Sequence, residues 1–250
     1  MRLLISVASA AEASAALLGG ADIIDAKDPL AGALGAVSVE VLRDIHAAVA
    51  GAHPVTAALG DASDEAAIER AAAVFTAAGA AVVKLGFGGI ASPARVAALI
   101  AAAVRGAKTG SGDRTGVVAT AYADADRVGS LAPAALTAVA ARAGADGLLI
   151  DTANKCGPGL RSLVAPGALA RLVAEAHETG LFVALAGKLT ADDLPFVRDA
   201  GADIAGVRGA ACEGGRTGRV AAGKVRLLQR LCARQACSTP LPSATRSASS

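Results

Sequence analysis

The chain has 250 residues, of which 54% are hydrophobic and 18% charged, so it is long and apolar enough to bury a substantial core. Its 24 basic and 22 acidic residues nearly balance, and aromatic residues make up 2%, which argues against a nucleic-acid partner. No run of about 18 apolar residues is present, so a membrane partner is not expected either.

The first ten residues, MRLLISVASA, combine a basic residue, an apolar run and small residues, as a secretory signal peptide does. The apolar run is short and Glu12 follows at once, so we interpret it as a first buried strand that leads into an Ala-rich helix. Cysteines without CxxC spacing, in a chain this long, favour reduced thiols and a cytoplasmic location. The four cysteines are Cys156, Cys212, Cys232 and Cys237.

Short apolar runs rich in β-branched residues alternate with Ala-rich stretches of helical length. The runs predict strands over residues 2–7, 22–26, 54–59, 81–85, 116–121, 146–151, 181–185 and 203–207. Eight such strands, apolar throughout and separated by helices, are what an α/β fold of the (β/α)8 TIM barrel type requires. We therefore expect one barrel domain over residues 1–236, rather than two small domains, and a disordered tail over residues 237–250.

The tripeptide Gly-Ala-Asp recurs where a predicted helix meets the next strand, at residues 20–22, 144–146 and 201–203. Glycine suits the left-handed position that follows the end of a helix. The aspartates Asp22, Asp146 and Asp203 open their strands, and charges at the amino ends of barrel strands usually serve stability. We assign these three residues no catalytic role.

A second set of charges closes the predicted strands. Asp25 ends the second strand, with Lys27 two residues further along, and Lys84 ends the fourth. Asp151 ends the sixth strand, and Lys155 lies in the loop that follows. Because the active site of a TIM barrel lies at the carboxyl ends of its strands, these acids and amines are expected to meet at one rim. A solvated Asp-Lys pair would explain one strand but is a weaker explanation for three.

Crowded lysines indicate Schiff-base chemistry on small carbonyl compounds. Only a neutral amine attacks a carbonyl, and neighbouring ammonium groups together with desolvation lower a lysine pKa from its ordinary value of about 10.4. An adjacent carboxylate acts in the opposite direction. Asp25 and Asp151 are therefore better suited to proton transfer and to orienting the amines than to activating a nucleophile.

Glycines and basic residues follow the seventh and eighth predicted strands, where TIM barrels commonly bind a substrate phosphate through backbone N–H groups. Turn formation alone explains many glycine clusters, but the position of these on the barrel favours a phosphate site. The candidate phosphate ligands are Gly187, Lys188, Arg208, Gly209, Gly214 and Gly215.

Other catalytic classes find little support in the sequence. The histidines His46, His53 and His177 are scattered along the chain and assemble neither a triad nor a metal cluster, so neither a metal nor another cofactor is expected. Cys156, beside Lys155, is more simply a small loop residue than an activated thiol.

Three segments resemble the (5-formylfuran-3-yl)methyl phosphate synthase family: GGADIIDAKDPLAGALGA, VVKLGFGG and LLIDTANKCG. The resemblance covers nearly the whole predicted barrel. It implies a lyase of methanofuran-type cofactor biosynthesis that condenses two molecules of glyceraldehyde 3-phosphate through a lysine Schiff base, with loss of phosphate and water. It also implies that Lys27 forms the Schiff base and that Asp25, Lys84, Asp151 and Lys155 complete the active site.

Two other functions stay open at this point. A different class I aldolase, acting on a phosphorylated sugar, would share the imine and the phosphate site but would release no furan chromophore. A non-catalytic phosphosugar-binding barrel would have no need of amines at three strand ends. The expected partners are small triose phosphates, and a homo-oligomer is compatible with a barrel of this size, although no interface is readable from the sequence.

Overall fold

The computed structural model describes residues 1–111 and 115–233. Residues 234–250, which include the end of the predicted domain, the predicted tail and Cys237, lie outside the described residues. The described chain folds into a closed barrel of eight parallel strands, which confirms the predicted fold class. Cys156, Cys212 and Cys232 are free thiols. No helix in this part of the chain is both long and apolar enough to cross a membrane.

Each of the eight predicted strands is present, with ends that differ from the prediction by at most two residues. They are β1 (Arg2–Val7), β2 (Ile23–Ala26), β3 (Val55–Asp61), β4 (Val82–Gly86), β5 (Gly116–Tyr122), β6 (Gly147–Asp151), β7 (Phe182–Leu185) and β8 (Ile204–Val207). Every strand pairs with the next in parallel, and β1 closes the barrel on β8. All eight carboxyl ends therefore meet at one rim.

Helices connect the strands, and several begin at a side chain that accepts a backbone N–H, as Ser9, Ser38 and Asp64 do. The helices are α1 (Ala10–Leu18), α2 (Val39–Val49), α3 (Glu65–Ala77), α4 (Pro93–Ser111), α5 (Ala125–Val128), α6 (Pro133–Arg142), α7 (Leu160–Leu163), α8 (Pro166–Glu178), α9 (Leu194–Asp199) and α10 (Ala222–Ala233). After β8, a 3₁₀ turn over Gly209–Ala211 leads into an antiparallel hairpin of β9 (Cys212–Glu213) and β10 (Arg219–Val220).

The Gly-Ala-Asp tripeptides hold the amino ends of the strands together. Each aspartate accepts a backbone N–H near the start of a neighbouring strand: Asp22 from Leu3 at 2.7 Å, Asp146 from Val117 at 2.8 Å and Asp203 from Val183 at 2.7 Å. The preceding glycines Gly20, Gly144 and Gly201 have φ of +87°, +84° and +85°, the left-handed conformation that ends each helix. These carboxylates lie at the end of the barrel away from the rim.

Two layers of apolar side chains hold the barrel. The larger lies between the outer face of the sheet and the helices, and the smaller fills the barrel interior. The interior layer includes Leu4, Ile23 and Leu149. Two residues further along those strands stand Ser6, Asp25 and Asp151, which therefore point to the same side. The interior thus changes from apolar to polar as the strands approach the rim.

Close packing of α3 against α4 gives a testable prediction for the fold. A Cβ atom at Gly106 in α4 would lie 2.0 Å from the backbone oxygen of Glu69 in α3, so Gly106→Ala should push the helices apart and destabilise the protein by about 1–3 kcal/mol. Gly223→Ala in α10 is the matched control, because nothing lies within 4 Å of its added Cβ; it should stabilise the helix by about 0.5–1 kcal/mol. Urea unfolding measures both, and equal effects would contradict the packing argument.

Candidate active site

A cavity of about 420 Å³ opens at the rim, and all five predicted catalytic residues line it. They come from β2, β4 and β6, from the residue that directly follows β2 and from the loop after β6. Four of the predicted phosphate ligands line the same cavity: Gly187, Lys188, Arg208 and Gly209. Gly214 and Gly215 do not; they form the turn of the β9–β10 hairpin, with φ of +80° and +77°.

Asp25 lies at the bottom of the cavity, is fully buried and accepts three hydrogen bonds. The Ser6 hydroxyl donates to Oδ2 at 2.9 Å, and the Thr56 hydroxyl donates to Oδ1 at 2.8 Å. Lys84 Nζ also donates to Oδ1 in a buried ion pair. Donors from β1, β3 and β4 fix the Asp25 carboxylate and leave it little freedom to approach a substrate.

Asp151 has one satisfied and one open carboxylate oxygen. Its Oδ1 accepts from Lys155 Nζ at 2.7 Å and from the Thr152 N–H at 2.7 Å. Its Oδ2 is buried with no donor among the residues that the structure describes. A buried carboxylate oxygen without a donor is costly unless a ligand or water donates a hydrogen bond to it. Oδ2 is therefore suited to accept a proton, or a hydrogen bond from a hydroxyl group, from a molecule in the cavity.

Lys27 directly follows β2 and is 9% exposed. Lys84 is paired with Asp25, and Lys155 is paired with Asp151. Within residues 1–111 and 115–233, no hydrogen-bond acceptor or salt-bridge partner reaches the Lys27 amine. The site therefore contains two paired ammonium groups and one buried amine without a partner.

Burial and crowding shift the titration of this cluster. Burial lowers the pKa of Lys84, and the charge of Lys27 adds to the effect against the attraction of Asp25. Burial also lowers the pKa of Lys155, although its pairing with Asp151 opposes the change. Burial disfavours the charged form of Asp151, but the ammonium groups of Lys155 and Lys27 outweigh it, so its pKa is lowered. A carboxylate that stays ionised thus lies beside lysines that release protons more readily than in water.

Asp124 positions the loop that carries Lys155, and sequence reasoning missed it. Its two carboxylate oxygens accept the N–H groups of Ala153 at 2.7 Å and Asn154 at 2.9 Å. Asp124 is buried and follows the carboxyl end of β5. Its position just after a predicted strand is the sequence feature that could have identified it as a residue of the site. Fixing the two residues before Lys155 holds the Lys155 amine against Asp151.

Sequence reasoning also missed Ser6 and Thr56, the two hydroxyl donors to Asp25. Each is the only polar side chain in the interior of its strand, RLLISV or VTAALGD, whose charged residue stands at one end. A polar residue at an inward position of an apolar strand needs a hydrogen-bond partner inside the barrel, and that was the signal available.

The rim after β7 has an unusual backbone. Gly187 has φ of +108°, and Lys188 has φ of +58°, a conformation that side-chain-bearing residues rarely adopt. The Lys188 amine donates to the Gly157 carbonyl, which ties this loop to the loop after β6. Such local strain is concentrated at binding and catalytic sites, and both residues line the cavity.

The N–H donors of the Arg208 guanidinium are used within the protein, whereas a phosphate ligand needs free donors. Its five N–H donors are all occupied: two by the Glu12 carboxylate at 2.9 and 3.3 Å, and three by the carbonyls of Ser6, Arg216 and Gly218 at 2.9, 2.7 and 3.2 Å. The guanidinium therefore holds the loop after β8 against β1 and α1. To bind a phosphate, it would have to break part of this network.

The Asp25–Lys84 pair gives a stability prediction. Asp25→Asn leaves the Lys84 ammonium buried without a countercharge, and Lys84→Met leaves the carboxylate without its cation, so each change should destabilise the protein by about 3–5 kcal/mol. The double variant removes both charges and should cost less than the sum, with a coupling of about 0.5–3 kcal/mol. Urea unfolding of the four proteins measures the cycle, and strict additivity would show that the two groups do not interact.

The barrel is similar in fold to solved structures of low sequence identity. KGPDC from Streptococcus mutans superposes with a TM-score of 0.66 at 14% identity, over 92% of this chain and 96% of that chain. 3-Hexulose-6-phosphate synthase superposes with a TM-score of 0.57 at 22% identity, over 91% and 99%. At these identities the likeness concerns the fold alone.

Closer relatives share the sequence as well as the fold. (5-Formylfuran-3-yl)methyl phosphate synthase from Methanopyrus kandleri is 42% identical over 219 residues, which cover 87% of this chain and 92% of that protein. The enzyme of the same name from Methanocaldococcus jannaschii is 38% identical over 235 residues, 93% and 100% of the two chains. The model of the 4-HFC-P synthase family matches residues 3–229. This chain therefore belongs to the (5-formylfuran-3-yl)methyl phosphate synthase family.

Proposed function

We propose that this protein condenses two molecules of glyceraldehyde 3-phosphate into (5-formylfuran-3-yl)methyl phosphate through a Schiff base on Lys27, as a lyase of methanofuran-type cofactor biosynthesis. Family membership supports the product. The pairing of the site lysines supports the Schiff base, because within the described part of the chain Lys27 is the one of the three without a carboxylate partner. This difference in pairing is the observation on which the proposed mechanism depends.

The first step is formation of the imine. The neutral Lys27 amine attacks the carbonyl carbon of one triose phosphate, and the resulting carbinolamine loses water to give an iminium ion. The ammonium groups of Lys84 and Lys155 flank the reacting carbon and stabilise the negative charge that develops on the carbonyl oxygen. They can do so because Asp25 and Asp151 hold them in place.

The second step forms the carbon nucleophile. The iminium withdraws electrons from the neighbouring carbon, whose proton moves to the open Oδ2 of Asp151, and an enamine results. Removal of the α proton from the free triose phosphate and its return to the carbonyl carbon converts the aldehyde to its keto form through an enediol. The enamine carbon then attacks the aldehyde of the second triose phosphate and forms the new carbon–carbon bond.

The last steps remove phosphate and water and close the furan ring. Lys155, hydrogen bonded to Asp151, is the acid for the departing oxygen atoms, since its pKa is lowered and its proton is shared with the neighbouring carboxylate. Asp25 has three donors, so its role in these steps is to hold Lys84 rather than to exchange protons with the substrate.

The phosphate that remains in the product binds at the loops after β7 and β8 in this proposal. Gly187 and Lys188 supply a strained turn, and Gly209 opens a 3₁₀ turn whose first N–H groups lack partners within the turn. The Lys188 amine lines the same cavity and supplies a positive charge. Gly214 and Gly215 lie outside the cavity, so we assign them no contact with the phosphate.

Incubation with glyceraldehyde 3-phosphate tests the proposal. The protein should produce a furan aldehyde with strong ultraviolet absorbance and the mass of the expected phosphate ester. Lys27→Arg keeps the charge but cannot form a stable imine, so it should lower the rate at least 10³-fold, whereas Lys108→Met on the exposed side of α4 should leave it unchanged.

The outcomes separate the alternatives. An aldol product without a furan chromophore would identify a different class I aldolase, and absence of any product would favour a binding protein. Furan formation by Lys27→Arg at the normal rate would show that the covalent mechanism is wrong although the reaction is right.

A further inference from the structure

Arg216 is a cation of the cavity with no assigned role. It lies in the β9–β10 hairpin and lines the cavity. Its guanidinium donates to the carbonyls of Pro29 and Gly32, the latter at 2.6 Å, in the loop that follows Lys27. The other three of its five N–H donors have no acceptor in the described part of the chain. A guanidinium with donors to spare in a partly buried cavity is suited to bind a phosphate.

The position of Arg216 is fixed before any ligand binds. Arg208 Nε donates to the Arg216 carbonyl at 2.7 Å, and Arg208 is itself held by the Glu12 carboxylate. The main chain of Arg216 is thus anchored to β1 and α1, while its side chain is anchored to the loop after β2. Such pre-organisation reduces the entropy that binding would otherwise cost.

The proposed reaction needs two phosphate sites, because each of the two trioses carries a phosphate and one phosphate leaves. The loops after β7 and β8 supply one site, which contains Gly187, Lys188 and Gly209. The Arg216 guanidinium is tied instead to the loop after β2, on the side of the Schiff-base lysine. We propose that Arg216 binds the phosphate that is eliminated. This inference rests on the proposed function.

Groups that line the cavity supply the protons and electron pairs that the elimination of phosphate requires. The C–O bond between a substrate carbon and the bridging phosphate oxygen breaks, and its electron pair leaves with that oxygen. After carbon–carbon bond formation the Lys27 adduct is an iminium ion again, and Asp151, having returned its first proton to the new alkoxide, removes a second α proton to regenerate an enamine. That enamine supplies the electrons that form the new double bond and is converted to an unsaturated iminium ion. Lys155 donates a proton, so inorganic hydrogen phosphate departs. Arg216 stabilises the charge that accumulates on the phosphate as the bond breaks.

The charges of the site agree with this arrangement. The Arg216 charge lies close enough to contribute to the lowered pKa of Lys155, the group that donates the proton. Asp151 also attracts the Arg216 guanidinium. The cation for the departing phosphate and the acid for its oxygen line the same cavity.

Arg216→Ala tests the inference, with Arg219→Ala as the matched control, because Arg219 lies in the same hairpin, is exposed and does not line the cavity. Arg216→Ala should slow furan formation about 10²-fold. Borohydride reduction during turnover should trap on its Lys27 an adduct that retains both phosphates, identified by peptide mass spectrometry. Arg219→Ala should resemble the wild type in rate and adduct.

A second, conservative variant separates the effect of losing the guanidinium from the effect of misfolding. Arg216→Lys keeps a charge but loses the planar fork, so it should slow furan formation about tenfold and weaken inhibition by inorganic phosphate. Normal rates and normal phosphate inhibition in both Arg216 variants, with an active wild type, would overturn the inference alone. Loss of the Lys27 adduct in folded Arg216→Ala would also overturn it, because Arg216 would then act before elimination. A wild type that forms no furan would overturn the proposed function itself.

Discussion

The site depends on the burial of three lysines beside two carboxylates. A buried ammonium group is costly unless it is paired, and here Asp25 pairs with Lys84 while Asp151 pairs with Lys155. Lys27, 9% exposed, has no partner among the residues that the structure describes. In our proposal this difference in pairing gives the cluster its chemistry, because two amines are held in place by carboxylates and the third is free to become a nucleophile.

The barrel keeps this arrangement in place by drawing each restraint from a different strand. Donors from β1, β3 and β4 converge on Asp25, and Asp124 after β5 fixes the loop after β6. Because every pair of neighbouring strands is hydrogen bonded, one strand end cannot move without disturbing the next. A site supported by strands is held more precisely than one built on loops alone. The rim therefore combines rigidly held acidic and basic groups with the loops that we propose to bind the phosphates.

Regular patterns made the barrel and the rim predictable, because strand composition, helix-ending glycines and the rule that barrel sites lie at carboxyl ends are all local properties of the sequence. Which side chains pair with each other is not a local property of the sequence, because the partners can lie far apart along the chain. Arg208 looked like a phosphate ligand, but its donors are occupied by Glu12, which lies 196 residues away along the chain. Asp124 and Thr56 were missed for the same reason, since their function depends on contacts with distant segments. The unpaired state of Lys27 likewise became visible when Lys84 and Lys155 were found with their carboxylates.

The central claim, that pairing leaves Lys27 as the reactive amine, is tested most directly by cyanate labelling. Cyanate is small and carbamylates neutral amines, so the rates at individual lysines can be followed by peptide mass spectrometry. Our account predicts that Lys27 reacts ahead of Lys84 and Lys155, because those two amines must first leave their ion pairs with Asp25 and Asp151, and that glyceraldehyde 3-phosphate protects Lys27. Equal rates at the three lysines, or faster labelling of Lys84 or Lys155, would contradict it.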